Sequence, residues 1–256
     1  MRLIDTHAHL NLPHFEGDVD AVVRRARDAG VEAIICVGTD VTSSRRAVEL
    51  SEFHPDLIRA AAGIHPTASA DADPDDVAEL KELLEHPNVV AVGETGLDYH
   101  HDNATPEEQK AMFRRQLQMS RRTDKPVIIH SRSAEEDTLR ILREADEPIQ
   151  GVRHCFDGSL QMAEEFVELG LSISFTALIT RGGHKKLKAA AAHLPEDCIM
   201  VETDCPFMTP AGADANRNEP ALLRRTVETI AELREMEPDE LAELTTRNAR
   251  ELFGSL

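Results

Sequence analysis

The feature that most constrains the fold is an alternation of apolar, β-branched runs with helical segments along the whole 256-residue chain. Strands are predicted near residues 2–6, 32–37, 57–63, 88–93, 126–130, 150–155, 171–175 and 198–203. Helices are predicted near residues 17–29, 42–53, 74–85, 106–122, 134–145, 159–169, 184–193, 219–234 and 238–251. Eight βα units in about 250 residues favour a parallel, closed (β/α)8 TIM barrel over a doubly wound sheet. Because no shift in composition divides the chain, one α/β domain over residues 1–256 is predicted.

The composition excludes several classes of protein. No run approaches the ~20 apolar residues of a transmembrane helix, so we expect no membrane association. The first strand begins at the N-terminus, which predicts that there is no signal peptide. The cysteines Cys36, Cys155, Cys198 and Cys205 include no CxxC pair. Free thiols in a cytoplasmic protein are therefore expected rather than a disulfide framework.

The net charge limits the kinds of binding partner that we expect for this protein. A net charge of −19 argues against a protein that coats nucleic acid, because that binding depends on cationic side chains that neutralise phosphates. It does not exclude an enzyme with a locally positive site, since bound divalent ions can dominate the field in a cleft. Arginine outnumbers lysine 22 to 6. An acidic surface that is poor in lysine predicts a halophilic protein that works in high salt.

Side chains that can bind metal ions occur at the carboxyl ends of five predicted strands. His7 and His9 form a His-x-His pair, and residues two apart on a strand share one face. The later strands add Glu94, His130, His154 and Asp204. In a (β/α)8 barrel these strand ends meet at the rim that carries the active site. A single polar strand end would be unremarkable, but six at one level predict a metal site.

Four imidazoles and two carboxylates exceed what one tetrahedral ion needs, and they suit two divalent cations bridged by a carboxylate. The mixed donors favour zinc, manganese, nickel, cobalt or iron, and magnesium stays open. Glu202 lies one layer below Asp204 on the same strand face and is predicted to orient a ligand histidine. The alternative is a buried charge paired with an arginine or histidine. His65 ends the third strand and is interpreted as facing the substrate, or else as a structural histidine.

The motifs resemble the TatD family of metal-dependent deoxyribonucleases, within the amidohydrolase-like superfamily. The resemblance rests on the segments 5–10, 63–66, 93–99, 127–132, 154–159, 202–206, 217–220 and 248–253, in order along nearly the whole chain. It implies a TIM barrel with two metal ions. The first ion would be held by His7, His9 and Asp204. The second would be held by His130 and His154, with Glu94 shared between the two.

The chain departs from the usual family pattern at three places. These are Thr95, Asp157 and the segment 179–185, which lacks the common Phe-Lys start. Because that segment follows the seventh strand at the rim, it leaves the substrate preference open. The ligand set itself is intact, so hydrolysis is expected.

The expected reaction is hydrolysis of a DNA phosphodiester, and the resemblance implies exonuclease action, which we expect at single-stranded ends. Two ions would lower the pKa of a water molecule and clamp the oxygens of an in-line displacement. Asp204 would accept the proton of that water as general base, and Glu94 and Glu202 complete the predicted catalytic set.

Other side chains near the rim are candidates for contacts with the substrate. Four arginines are candidates for binding phosphates: Arg132, Arg153, Arg181 and Arg217. Each could instead be a surface arginine paired with an acid. Tyr99 is a candidate for stacking a base. With one tyrosine and no tryptophan in the chain, a pocket for a strand end is favoured over a long channel.

Two other functions stay open at this point. The same scaffold could hydrolyse an amide, a lactone, a carboxylic ester or an aminoacyl-tRNA ester, since a fold does not determine a substrate. An apolar pocket over the metals would favour that function, and a basic groove would favour DNA. The third possibility is a metal-stabilised, non-enzymatic scaffold in a DNA repair or cell-death complex, with a coordinatively closed site. A monomer is expected.

Overall fold

The computed structural model describes residues 1–145, 148–254 and 256. Its eight strands lie side by side in chain order, and each pairs with the next in parallel. They are β1 (Leu3–Ala8), β2 (Val31–Val37), β3 (Ile58–Ala62), β4 (Val89–Asp98), β5 (Val127–Arg132), β6 (Gly151–Arg153), β7 (Leu171–Phe175) and β8 (Ile199–Val201). The helices between and after them are α1 (Val19–Asp28), α2 (Val41–Phe53), α3 (Pro74–Leu84), α4 (Pro106–Thr123), α5 (Glu135–Arg143), α6 (Leu160–Glu168), α7 (Lys185–His193), α8 (Leu223–Arg234) and α9 (Pro238–Phe253).

The residues after β8 return to β1 and nearly close the sheet. Ala8 and Cys205 form a parallel bridge. The backbone N–H of Asp204 donates to the carbonyl of His7 at 2.9 Å, and that of His9 donates to Cys205 at 2.8 Å. The predicted single-domain (β/α)8 TIM barrel is therefore confirmed, and its closing hydrogen bonds join two segments that carry predicted ligands.

The barrel interior places apolar side chains below polar ones. Alternate residues of a strand face opposite sides, and one buried apolar cluster contains Ile128, Val152 and Met200, packed with Phe253 of α9. Two residues further along the chain from these three lie His130 in β5, His154 directly after β6 and Glu202 directly after β8. The apolar layer thus supports a polar layer at the carboxyl ends of the strands.

One predicted boundary is wrong by several residues. The strand predicted to end near residue 93 continues to Asp98, because Thr95–Asp98 pair with Ile129–Arg132 of β5. Glu94 consequently lies inside β4 rather than after it. The last β-to-α connection also differs, since α8 begins at Leu223 after a short 3-10 turn over Pro220–Leu222.

Two other sequence expectations concern membranes and thiols. Within the described ranges, no helix has both the length and the apolar character needed to cross a bilayer. Cys36, Cys155, Cys198 and Cys205 are all free thiols. Burial raises the pKa of Cys36 to about 12, so its thiol is held protonated in the core.

Candidate active site

The six predicted metal ligands converge at the carboxyl end of the barrel, with Glu94 between two pairs of histidines. One carboxylate oxygen, Oε1, lies 2.9 Å from Nδ1 of His130 and 2.7 Å from Nε2 of His154. The other oxygen, Oε2, lies 3.4 Å from Nε2 of His7 and 3.6 Å from Nε2 of His9. The carboxylate therefore faces both pairs at once, one oxygen to each.

Asp204, three residues after the end of β8, lies beside the first of these pairs. Its Oδ1 lies 3.4 Å from Nε2 of His9 and 3.8 Å from Nε2 of His7. The backbone of Asp204 is left-handed, with φ of 54°, a conformation that aspartate and asparagine tolerate better than most residues. This turn at the strand end brings the carboxylate to the cluster.

The donor atoms fit divalent cations. The nitrogens of His7 and His9 that face the site are 3.1 Å apart, and those of His130 and His154 are 3.3 Å apart. The donor atoms of His7, His9 and Asp204 lie within 4.8 Å of one another, as do those of the group around Glu94. Imidazole nitrogens and carboxylate oxygens crowded in this way, in a buried site, form the mixed donor set of zinc and related ions.

The outward ring nitrogens of His9 and His154 have hydrogen-bond partners, whereas Nδ1 of His7 is buried without one among the described residues. Nδ1 of His9 donates to the carbonyl of Val37 at 2.9 Å, which leaves Nε2 as the lone-pair donor. Nδ1 of His154 lies 3.3 Å from Oε1 of Glu202, which also accepts a hydrogen bond from the backbone of Cys155. Glu202 is fully buried. A carboxylate behind a ligand histidine sets its tautomer and orientation and raises its basicity.

Asp98 holds His130 in the same manner, and the sequence reasoning assigned it no role. Its Oδ2 lies 3.2 Å from Nε2 of His130. If Nδ1 of His130 binds a cation, the ring proton must lie on Nε2, from which it is donated to Asp98. Although burial raises the pKa of Asp98, hydrogen bonds from His130 and His101 lower it overall, so the group stays a carboxylate.

In the cluster, the Glu94 carboxylate and the surrounding imidazoles shift one another's pKa values. Burial lowers the pKa of His7, and the positive neighbour His154 lowers it further. Burial alone would also lower the pKa of His154, but the carboxylates of Glu94 and Glu202 raise it to about 10. The pKa of Glu94 lies well below its usual range despite burial, because the surrounding imidazoles favour its ionised form.

Replacing Asp98 with asparagine is expected to weaken divalent-cation binding by about 10- to 100-fold. The variant keeps the size of the side chain but removes the charge that holds the proton on Nε2 of His130. Calorimetric titration with Mn²⁺ measures the change. The control is Asp137→Asn, which removes a carboxylate paired with Arg140 outside the cavity. Equal Mn²⁺ affinities for Asp98→Asn and the parent protein would contradict this role.

A cavity of about 690 Å³ opens above the cluster. Its lining combines predicted metal ligands with polar and apolar rim residues, and it includes His65, Arg132, Arg153, Leu178, Phe207 and Met208. Of the residues predicted to contact substrate, the structure thus brings His65, Arg132 and Arg153 to the cavity. Tyr99, Arg181 and Arg217 are not among the residues that line it.

His65 faces the cluster as a neutral imidazole. The backbone N–H of Thr67 donates to its Nδ1 at 3.2 Å, so the ring proton lies on Nε2, which is 3.5 Å from Oε1 of Glu94. Burial lowers the pKa of His65 to about 3. The ring is therefore a hydrogen-bond donor at the edge of the site.

The two cavity arginines differ in what they can bind. Arg153 is 2% exposed and donates to the carbonyls of Ser131 and His154, so its guanidinium is engaged in holding β5 and β6. Arg132 is exposed and makes no ion pair with any residue in the described ranges. Its charge is available to a ligand in the cavity.

The three predicted contacts outside the cavity are engaged elsewhere. The hydroxyl of Tyr99 donates to Asp137 at 2.7 Å. Burial and this carboxylate raise the pKa of Tyr99. The guanidinium of Arg217 pairs with Asp18 and lies 4.4 Å from the centre of the Phe15 ring. Arg181 donates to the carbonyl of Thr209 at 3.4 Å.

Comparisons with known proteins agree over nearly the whole chain. A profile of the family described as TatD related DNase matches residues 4–254. The uncharacterized metal-dependent hydrolase YabD of Bacillus subtilis is 42% identical over 252 residues, with 98% of each chain covered. The 3'-5' ssDNA/RNA exonuclease TatD of Edwardsiella piscicida is 36% identical over 258 residues, covering 98% of this chain and 99% of that one. The crystal structure of YjjV, a TatD homologue from Escherichia coli K12, matches with a TM-score of 0.94 and 36% identity over 100% of this chain and 99% of that chain.

The barrel and the histidine–carboxylate cluster at its rim define a metal-dependent hydrolase of the (β/α)8 class. The chain belongs to the TatD family, because the family profile and the relatives both span it almost completely. The resemblance inferred from the sequence motifs is thereby confirmed.

Proposed function

We propose that the protein is a deoxyribonuclease that removes nucleotides from single-stranded DNA ends with the help of two divalent ions. The observation that carries this proposal is the position of Glu94, with one oxygen toward the His7–His9 pair and the other toward the His130–His154 pair. One carboxylate between two donor groups is the arrangement of a bridged two-metal site. The relative from Edwardsiella piscicida, named a 3'-5' ssDNA/RNA exonuclease, supports a nucleic-acid substrate.

Different side chains of the site have different roles in the proposed hydrolysis. Divalent cations, when bound, lower the pKa of water and stabilise charge on phosphate oxygens. Asp204 lines the cavity and is the general base that accepts the proton of the attacking water. His65 can donate a hydrogen bond from Nε2 to an oxygen of the phosphate. Glu202 and Asp98 fix the orientation of the histidines behind the reacting atoms.

Magnesium, manganese and zinc are the candidate ions. The four imidazoles among the donors favour zinc or manganese over magnesium on ligand chemistry alone. Metal content after purification without chelators identifies the ion, and a stoichiometry of two ions per chain is expected.

Arg132 is the proposed anchor for a phosphate beside the one that reacts. Replacing it with alanine is expected to raise KM for single-stranded DNA about tenfold, since a charge-assisted hydrogen bond is lost, with kcat little changed. The salt dependence of KM should also become shallower by about one phosphate contact. Steady-state kinetics at several KCl concentrations measure both effects.

Two matched variants control for this result. Arg132→Lys retains the charge and should recover part of the affinity. Arg224→Ala removes an exposed arginine that pairs with Glu228 on α8 and should leave KM unchanged. A tenfold fall in kcat for Arg132→Ala with KM unchanged would contradict the anchoring role.

A panel of substrates tests the proposed function against the other hydrolases. Single-stranded DNA labelled at either end, duplex DNA and single-stranded RNA are compared with a lactone, a carboxylic ester and an aminoacyl-tRNA. We expect mononucleotide release from one end of single-stranded DNA to be the fastest reaction. Faster hydrolysis of the lactone, the ester or the aminoacyl-tRNA would replace this proposal with the second function considered from the sequence.

The acidic surface supports a further proposal about conditions, namely that the protein works in concentrated salt. The net charge is −19, and repulsion among carboxylates destabilises a compact chain until salt screens it. We expect Tm to rise by several degrees, and activity to persist, when KCl is raised from about 0.1 M to molar concentration. A Tm that falls in molar KCl would contradict this proposal.

Size-exclusion chromatography in the same buffers tests the proposed monomer, and fractionation of the source cells tests the proposed cytoplasmic location. A role in DNA repair remains a prediction.

A further inference from the structure

Phe207 stands at the mouth of the cavity with its ring open to solvent. The residue is 48% exposed and lines the cavity next to Met208. Among the residues that the structure describes, the other large hydrophobic side chain with comparable exposure is Phe53, at the end of α2. The two exposed rings thus differ in place, since only Phe207 borders the reacting centre.

The position of Phe207 is held by its backbone surroundings. Its N–H donates to the carbonyl of Asp204 at 3.0 Å. The side-chain amide of Asn218 donates to the carbonyls of Thr203 at 2.8 Å and Met208 at 3.2 Å. The segment that carries the ring is therefore tied on both sides to the segment that carries the proposed general base. A ring fixed in this way loses little conformational entropy when a ligand packs on it.

The Phe207 ring also lies close to the histidine–carboxylate cluster. Its centre is 6.3 Å from that of the His9 ring and 6.1 Å from that of the His14 ring. Both contacts are edge-to-face, at 69°, so neither histidine stacks in parallel on Phe207. A phosphodiester held at His9 and Asp204 would place its neighbouring nucleoside within reach of the open ring.

Tyr99, the residue predicted from the sequence to stack a base, does not line the cavity. Tyr99 is the one tyrosine of the chain, there is no tryptophan, and the Tyr99 hydroxyl is bonded to Asp137 away from the cavity lining. Stacking on an aromatic face accepts any base, because every base has a π-face. Phe207, with Met208 beside it, supplies a phenyl face in a cavity lining that otherwise combines histidines, other polar or charged side chains and the aliphatic Leu12 and Leu178.

We propose that Phe207 is the stacking surface for the nucleobase next to the scissile phosphodiester. The site then takes a phosphodiester that carries a base, in preference to one that carries only sugar and phosphate. This inference rests on the proposed function and deepens it by naming the part of the substrate that the enzyme recognises.

The test crosses a protein variant with a substrate variant. Phe207→Leu removes the aromatic face but retains apolar volume, and Phe207→Trp retains a face. The substrates are one single-stranded oligonucleotide and two copies of it in which a tetrahydrofuran abasic unit replaces the terminal or the penultimate nucleotide. All three carry the same phosphates. Phe53→Leu is the matched control for loss of an exposed phenylalanine.

We expect Phe207→Leu to lower kcat/KM about tenfold on the normal oligonucleotide and less than twofold on one of the abasic oligonucleotides. Phe207→Trp and Phe53→Leu should keep the parent value. A spectroscopic readout is independent of turnover: 2-aminopurine at the oligonucleotide end is quenched when it stacks. In protein that also carries Asp204→Asn, we expect the Phe207→Leu substitution to abolish the quenching that accompanies binding of the oligonucleotide.

The failures of the two proposals are distinguishable. Equal losses on normal and abasic oligonucleotides, or no loss on either, would overturn the stacking role while DNA hydrolysis stands. Absence of both DNA cleavage and DNA binding in the parent protein would overturn the proposed function and the stacking role together. Retained quenching in Phe207→Leu would overturn the stacking role alone.

Discussion

Replacing Asp204 with asparagine is expected to lower kcat by about 10²- to 10⁴-fold, the usual contribution of a general base. Asparagine keeps the volume and one oxygen of the side chain, but it cannot accept the proton of the attacking water. It also tolerates the left-handed backbone of this position, at φ of 54°, so the turn after β8 is preserved. Single-turnover rates at saturating metal measure the change directly.

The matched control for this variant is Asp157→Asn. Asp157 also lines the cavity, but it belongs to none of the clusters of potential metal ligands. Its replacement should change kcat by less than threefold. Thermal unfolding of both variants separates catalysis from folding, because a purely structural metal site predicts that loss of Asp204 lowers Tm more than it lowers the rate. A kcat for Asp204→Asn within threefold of the parent would contradict the assignment of the base.

The second large effect is expected for Glu94→Gln, with a fall in activity of more than about 10³-fold and a loss of metal stoichiometry. Removing one oxygen donor and the negative charge affects both histidine pairs at once, since each pair lies against one oxygen of this carboxylate. A buried set of imidazoles without that charge holds divalent cations poorly. Equilibrium dialysis followed by elemental analysis counts the bound ions.

His86→Gln provides the comparison for Glu94→Gln. His86 pairs with Glu52 on the surface, and it belongs to none of the potential metal clusters. The His86→Gln variant should bind the two ions per chain that are expected for the parent protein. Two ions bound to Glu94→Gln with unchanged affinity would show that this carboxylate does not bridge them.

The barrel and the convergence of the predicted metal ligands could be predicted because both follow from periodicity. Strand–helix alternation determines the order of elements, and residues at equivalent strand ends meet at one rim. The true end of β4 could not be predicted, because Gly93 and Gly96 are typical of a break. In the structure these glycines permit close packing: a Cβ at Gly96 would lie 2.0 Å from the carbonyl oxygen of His130. Asp98 therefore belongs to the strand and reaches the site.

Contacts with substrate were harder to predict, because they depend on partners distant in sequence. Arg217 pairs with Asp18, which is 199 residues away along the chain, as well as with the nearby Glu219, while Arg132 has no ion-pair partner among the described residues. Tyr99 is likewise held by Asp137, 38 residues away. Phe207 was missed because a single phenylalanine after a Cys-Pro pair carries no periodic signal, and its exposure is visible only in three dimensions.

The most direct test of the central claim is hydrolysis of end-labelled single-stranded DNA by protein that has been stripped of metal. Magnesium, manganese and zinc are restored separately, in low and in molar KCl, with Asp204→Asn alongside. The account predicts no cleavage without metal, progressive shortening from one end when a divalent ion is restored, and loss of that shortening in the variant. Cleavage that is independent of metal, or no cleavage with any of the three ions by folded protein, would contradict it.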